Sequence, residues 1–213
     1  MTNDEAAAIQ LYTQHCCLYP MLNAALRDHT HPENLTAFKP YLKLFLTALN
    51  KLPLVRANVY RGVKGDLHET YDQLQGQVFR WWAFSSTTPR ESQAETFLGE
   101  GERTLFVIDA VGVDISAFSV FYDEREVLIL PGTCLVVKPG VMVKPNYWKV
   151  EASVWQATND SGILAMPVAR FQDTDMAHPG WEDITSAPSS ENPLPPTPHS
   201  TPSTEAATVC PQV

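Results

Sequence analysis

Phe121-Tyr122-Asp123-Glu124-Arg125-Glu126-Val127-Leu128-Ile129-Leu130 places two carboxylates, one residue apart, at the mouth of an apolar run. Residues i and i+2 of a strand point the same way, so this spacing predicts Glu124 and Glu126 on one face. Two like charges that close raise the free energy unless a cation lies opposite them or one of them titrates, which is the pattern of a functional site. Two earlier apolar runs end in a comparable way. Val59-Tyr60-Arg61-Gly62 closes on a cation, and Phe84-Ser85-Ser86-Thr87-Thr88 on a row of hydroxyls.

Around these strand ends the periodicity changes once along the chain. In residues 6–26, Ile9, Tyr12, Cys16, Tyr19, Leu22 and Leu26 recur at spacings of three and four, which predicts a helix broken or kinked at Pro20. Residues 41–52 repeat the pattern with Leu42, Phe45, Leu46 and Leu49, and Pro53 stops it. From there the period shortens. Residues 58–61, 77–85, 103–109, 126–130, 133–138 and 147–155 read as strands, and 88–98 as a short helix behind Pro89. Helices followed by strands indicate an α+β fold rather than a doubly wound sheet.

The 213 residues divide unevenly. Residues 157–213 hold nine of the 17 prolines, clusters of Ser and Thr, and hardly any apolar periodicity. Such a segment buries too little surface to offset chain entropy, so a mostly disordered tail is expected after a compact domain of residues 1–156. Seven acidic side chains accompany Arg170 in the tail, and the domain carries seventeen acidic against fourteen basic, within a net charge of −9. Neither part offers a basic face, which disfavours a nucleic-acid partner. The first five residues are polar and acidic, and no apolar run approaches the ~20 residues of a membrane helix. A cytoplasmic protein with no membrane partner is expected, or one exported by a route that needs no signal segment. Adjacent Cys16 and Cys17 are poorly placed to bridge each other, which suits a reducing compartment. Cys210 stands at a prenylation position, but Pro211 and Gln212 are poor middle residues. His29 and His31 flank a turn-like segment before Pro32 and read as exposed loop, so no metal site is expected. Neither Gly-x-Gly-x-x-Gly nor Gly-x-x-x-x-Gly-Lys-Ser/Thr occurs, which excludes phosphate cradles of those types.

With Arg61 at one strand end, Ser86-Thr87-Thr88 at the next and Glu124-x-Glu126 at the last, residues 8–155 resemble the R-S-E class of mono-ADP-ribosyltransferases, of the arginine-specific type. Each motif is common by itself. Specificity lies in their order, in the place of each at the end of its own strand, and in the Val127-Leu128-Ile129-Leu130-Pro131-Gly132 that follows Glu126. The resemblance implies an ADP-ribosyltransferase-like fold, in which N-terminal helices flank two perpendicular β-sheets forming a cleft for NAD. NAD enters as substrate, with no metal, and the choice between NAD and NADP stays open. By the same resemblance Arg61 holds the pyrophosphate or supports the nicotinamide ribose, the Gly62 backbone grips the carboxamide, and Ser86 orients a catalytic Glu126. Thr87 and Thr88 complete the row, Thr88 standing where the family carries Ser. Phe84 is placed to stack on the nicotinamide, and Phe121 and Tyr122 lie in the segment that recognises the target. Glu124 would face the acceptor, a Glu there going with arginine.

Plainer alternatives exist for each. Arg61 has Asp66 and Glu69 as nearby partners, Thr88-Pro89 is a good helix start, Phe84 suits a core, and paired glutamates occur at solvated strand edges. The chemistry favours the site. A carboxylate facing an oxocarbenium-like centre stabilises it more than the ground state, and a second carboxylate anchors a guanidinium bidentately and accepts its proton. The implied activity is transfer of ADP-ribose from NAD to an arginine of a protein acceptor, by a toxin-like monomeric enzyme with NAD hydrolysis as a side reaction. The alternative is an NAD-site scaffold without transfer activity, serving as an interaction module.

Overall fold

The computed structural model describes residues 1–138, 141–144 and 146–155. The expected tail of residues 157–213, with Cys210, lies outside them. Thr2 and Glu5 start α1 (Asn3–Thr13) with a reciprocal cap: the Thr2 hydroxyl accepts the Glu5 N–H at 3.2 Å, and the Glu5 carboxylate accepts the Thr2 N–H at 2.7 Å. The same carboxylate meets Lys51 Nζ at 2.6 Å, fastening the start of α1 to the chain just beyond α3 (Lys39–Leu49). Where one helix over residues 6–26 is expected, there are two. Gln14 turns extended (φ −70°, ψ 150°), and α2 (Leu18–Arg27) begins only after a turn. Pro20 is not the break, because it lies in the first turn of α2, where a missing N–H forfeits no helical bond. A 3-10 helix (Pro32–Phe38) then leads into α3. The apolar faces of these helices, with Ile9, Tyr12, Leu22, Leu35, Leu42 and Phe45, pack on Phe84, Val113, Ile115 and Leu128.

The remaining elements build the sheet. β1 (Leu54–Lys64) is followed by α4 (His68–Asp72), β2 (Val78–Trp81), β3 (Ser85–Thr87), α5 (Glu91–Thr96) and β4 (Arg103–Asp114). After them come β5 (Val127–Ile129), β6 (Thr133–Val137), β7 (Val141–Lys144) and β8 (Tyr147–Val154). β1 pairs antiparallel with β4 along its whole length, from Leu54↔Val113 to Lys64↔Arg103. The other edge of β4 forks. Arg103 to Asp109 run parallel to β8, whereas Val113 and Asp114 pair antiparallel with β5. From β8 the sheet continues to β6 and β2, with β7 also on β8; from β5 it continues to β3. The two sheets expected from the resemblance are two wings of one continuous sheet, joined at β4. That fork also divides the strand expected over 77–85, since Trp81 pairs with Thr133 in one wing and Ser85 with Ile129 in the other.

Just past β3, Tyr60 and Thr88 exchange backbone hydrogen bonds of 2.8 and 3.0 Å, closing β3 back onto β1. β1, β4, β5 and β3 thus form a ring, and the ring brings Arg61 of β1 beside Ser86 of β3. α5 is shorter than the helix expected over 88–98 and lies against β1. Gly62 of β1 sits at that contact. Its backbone borders the cleft, but a Cβ there would stand 2.4 Å from the Ala94 carbonyl oxygen and 3.0 Å from the Leu98 side chain, so the missing side chain makes room for α5 and the turn after it. Gly62→Ala is accordingly expected to destabilise the fold by about 1–3 kcal/mol, the usual range for overpacking, read as a lower urea midpoint. An unchanged midpoint would show that α5 is not seated on β1 as described.

Candidate active site

A cleft of about 500 Å³ lies between the α1–α2 turn, β1, β3, α5 and the segment entering β5. Arg61, Gly62, Ser86, Thr87, Thr88, Phe121, Glu124 and Glu126 all line it. The three hydroxyls of the row that follows Ser85 reach across to that last segment, each to a different atom. Thr87 donates to the Val127 carbonyl at 2.6 Å, Thr88 donates to the Glu124 carbonyl at 2.8 Å, and the Ser86 hydroxyl lies near enough to the Glu126 carboxylate to favour its charged form. Thr88 also accepts the Arg90 N–H at 3.2 Å, so its helix-start role and its site role coexist. Arg61 does not pair with Asp66, which holds His68 instead; its Nη1 donates to the Ser86 carbonyl at 2.9 Å.

Glu126 is 5% exposed. Ile115 N–H donates to its carbonyl at 3.1 Å, and Ser119 Oγ donates to its Oε2 at 3.4 Å. Burial pushes its carboxyl above the ordinary glutamate value; the nearby Glu124 pushes the same way, while the Ser86 and Ser119 hydroxyls and Arg61 oppose the shift. Glu124 is raised as well, by partial burial, with His15 opposing.

Glu124 and Glu126 do not share the strand expected of them. Tyr122–Glu124 form a 3-10 turn, and β5 begins only at Val127. Between the carboxylates Arg125 adopts a left-handed conformation (φ 50°, ψ 53°), so strand alternation does not relate them, although both reach the cleft. Phe84 is also corrected. It is 1% exposed and packs against Tyr12 and Phe45 with ring centroids 5.6 and 5.1 Å apart, in the core rather than the cleft. Tyr122 is 71% exposed and does not line the cleft. Phe121 packs against the His15 ring at 4.7 Å.

Residues that the sequence reading passed over complete the site. His15, Cys16 and Cys17 border the cleft from the turn between α1 and α2, a turn hidden inside a segment read as one helix. Lys64 adds a second cation, and Tyr12 a buried phenol whose ionisation burial suppresses. Asn23 is a polar residue between Leu22 and Leu26 on the buried face of α2, and that placement was its one signal in the sequence.

Residues 1–154 match the family described as NAD:arginine ADP-ribosyltransferase. The chain belongs to this family. Among curated ADP-ribosyltransferases, it is 34% identical over 136 residues to the chicken NAD(P)(+)–arginine ADP-ribosyltransferase 2, covering 60% of this chain and 42% of that protein. It is 31% identical over 139 residues to the chicken NAD(P)(+)–arginine ADP-ribosyltransferase 1, covering 62% and 43%. The chain therefore spans under half the length of these relatives. Two solved ADP-ribosyltransferases share the fold. Vis, solved in complex with agmatine, superposes with a TM-score of 0.61 at 24% identity, covering 73% of this chain and 76% of that one. HopU1 of Pseudomonas syringae pv. tomato does so with a TM-score of 0.55 at 21% identity, covering 71% and 77%.

Burial of Glu126 carries a stability consequence for this ADP-ribosyltransferase fold. The native state keeps the carboxyl neutral to higher pH than the unfolded chain does, whose value is about 4.3. Stability from this group is complete below that value and is lost as pH rises through the native value. Glu126→Gln removes the loss, so the variant is expected to melt higher than the parent at pH 8, with the difference shrinking toward pH 4. A parent that melts as high as the variant at pH 8 would mean that the surrounding donors fully offset burial.

Proposed function

We propose that the protein breaks the nicotinamide–ribose bond of NAD and transfers the ADP-ribose to the guanidinium of an arginine on a protein acceptor, hydrolysing NAD when water takes the acceptor's place. The observation that carries this reading is Glu126, a buried carboxylate with Ser86 and Ser119 against it and Arg61 tied to the Ser86 carbonyl. A charged Glu126 facing the ribose stabilises positive charge that develops only as the bond breaks, so it favours the transition state over bound NAD. Arg61 commits one N–H to Ser86, which leaves the rest of its fork for phosphate oxygens, and Lys64 supplies a further cation. Glu124 is assigned to the acceptor, anchoring its guanidinium and taking a proton as it attacks. Phe121 and Tyr122 present apolar surface to the same partner. The names of the chicken relatives, which specify arginine and NAD(P), and the agmatine bound to Vis support the choice of acceptor. A monomer acting in the cytoplasm, on protein rather than nucleic acid, belongs to the same proposal. Among the described residues no helix is long and apolar enough to cross a membrane.

The decisive assay is release of nicotinamide from NAD with and without agmatine. Glu126→Gln is expected to lower both hydrolysis and transfer by ~10² or more at unchanged fold. Near-full activity in that variant would end the assignment. Glu124→Gln is expected to suppress transfer to agmatine more than hydrolysis, because only transfer needs an anion beside the guanidinium. Equal losses would move Glu124 to the NAD chemistry. Because Glu126 must be charged to act, the acid limb of hydrolysis is expected above the ordinary glutamate value of about 4.3. A limb at or below that value would contradict the burial of Glu126.

A further inference from the structure

Asn23 lies on α2, 61 residues from its partner Phe84, and is 3% exposed. Its Nδ2 donates to the Phe84 carbonyl at 3.1 Å, and its Oδ1 accepts the Phe84 N–H at 3.1 Å. One amide thereby satisfies both backbone groups of a single residue, as a neighbouring strand would. The place matters, because residues 82–84 cross between the wings of the sheet and neither strand there reaches Phe84. Two residues on, Ser86 contributes its hydroxyl to Glu126 and its carbonyl to Arg61. Asn23 Nδ2 also lies 3.4 Å from the hydroxyl of Tyr12, which borders the cleft.

We propose that Asn23 is a positioning residue for the reaction, standing in for a missing strand at Phe84 and so setting where Ser86 meets Glu126 and Arg61. Without it the backbone entering β3 has an unpaired donor and acceptor in an apolar core and shifts to find partners. Ser86 shifts with it. The carboxylate of Glu126 then loses a nearby hydroxyl that favours its charged form, which couples a core amide to the protonation of a group it does not touch.

This inference rests on the proposed role of Glu126, and the test separates the two. NAD hydrolysis is followed against pH for the parent, Asn23→Ala, Asn23→Ser and Leu42→Ala, the last a core truncation on α3. For Asn23→Ala, kcat is expected to fall ~10- to 100-fold with KM for NAD within ~3-fold, and the acid limb to move to higher pH. Asn23→Ser leaves room for a water to bridge the same backbone groups and is expected to fall between it and the parent. Leu42→Ala is expected to melt lower while keeping kcat and the acid limb, measured well below its midpoint. If Asn23→Ala is insoluble, Asn23→Ser carries the same readouts. Asn23 variants that melt lower with kcat and acid limb unchanged, like Leu42→Ala, would overturn the proposal and leave Asn23 a structural residue. A parent that does not turn over NAD, or a fully active Glu126→Gln, would instead overturn the assigned reaction.

Discussion

The removal of the Glu126 carboxylate from water is the constraint around which the cleft is organised. A carboxylate placed in an apolar interior neutralises itself unless donors and cations hold its charge. Here those groups come from separate parts of the chain: Ser86 from β3, Ser119 from the loop after β4, and Arg61 from β1. They converge because β3 closes back onto β1 through the Tyr60–Thr88 pair. Were the sheet open at that point, Arg61 and Ser86 would lie on free edges with nothing to fix their separation.

The hydroxyl row acts as a set of cross-links as much as a binding surface. Backbone pairing between β3 and β5 covers only Ser85 to Thr87 against Ile129 to Val127, a short ladder for a sheet edge that must hold a charged group. Thr87 and Thr88 extend it with side-chain bonds to the carbonyls of Val127 and Glu124. Position 88 needs a hydroxyl that reaches a carbonyl, and Thr meets that need as Ser does. The threonine that departs from the family pattern therefore leaves the arrangement intact.

Much of this was legible in the sequence, for physical reasons that also explain what was not. Arg61 and Ser86 close apolar runs and Glu126 opens one, so local pattern put each on or beside a strand, although β1 runs on to Lys64 and Ser86 lies within β3. The α1–α2 turn escaped because Tyr12, Cys16 and Tyr19 keep the helical rhythm across a segment that is not helical, and Pro20 drew the break to the wrong place. Phe84 was assigned to the cleft because it adjoins the hydroxyl row, whereas its backbone is held by Asn23 and its ring packs on Tyr12 and Phe45 in the core. Glu124 was assigned to a strand, and nothing in Asp123-Glu124-Arg125 announces the left-handed Arg125 that makes it a turn. Asn23 and Phe84 are joined by a contact spanning 61 residues, which no local pattern encodes.

That turn separates the supports of the two carboxylates. Glu126 is fixed from the core side, by the Ile115 N–H on its carbonyl and by Ser86 and Ser119 on its side chain. Glu124 is fixed from the rim, by the Phe121 carbonyl that accepts its N–H and the Thr88 hydroxyl on its own carbonyl. Had both sat on one strand, any shift of the outer carboxylate would have moved the inner one through the shared backbone. A left-handed residue between them interrupts that mechanical coupling while leaving them close enough to interact electrostatically. The outer group is thus held by Phe121 and Thr88, and the inner group stays where the sheet and the hydroxyl row hold it.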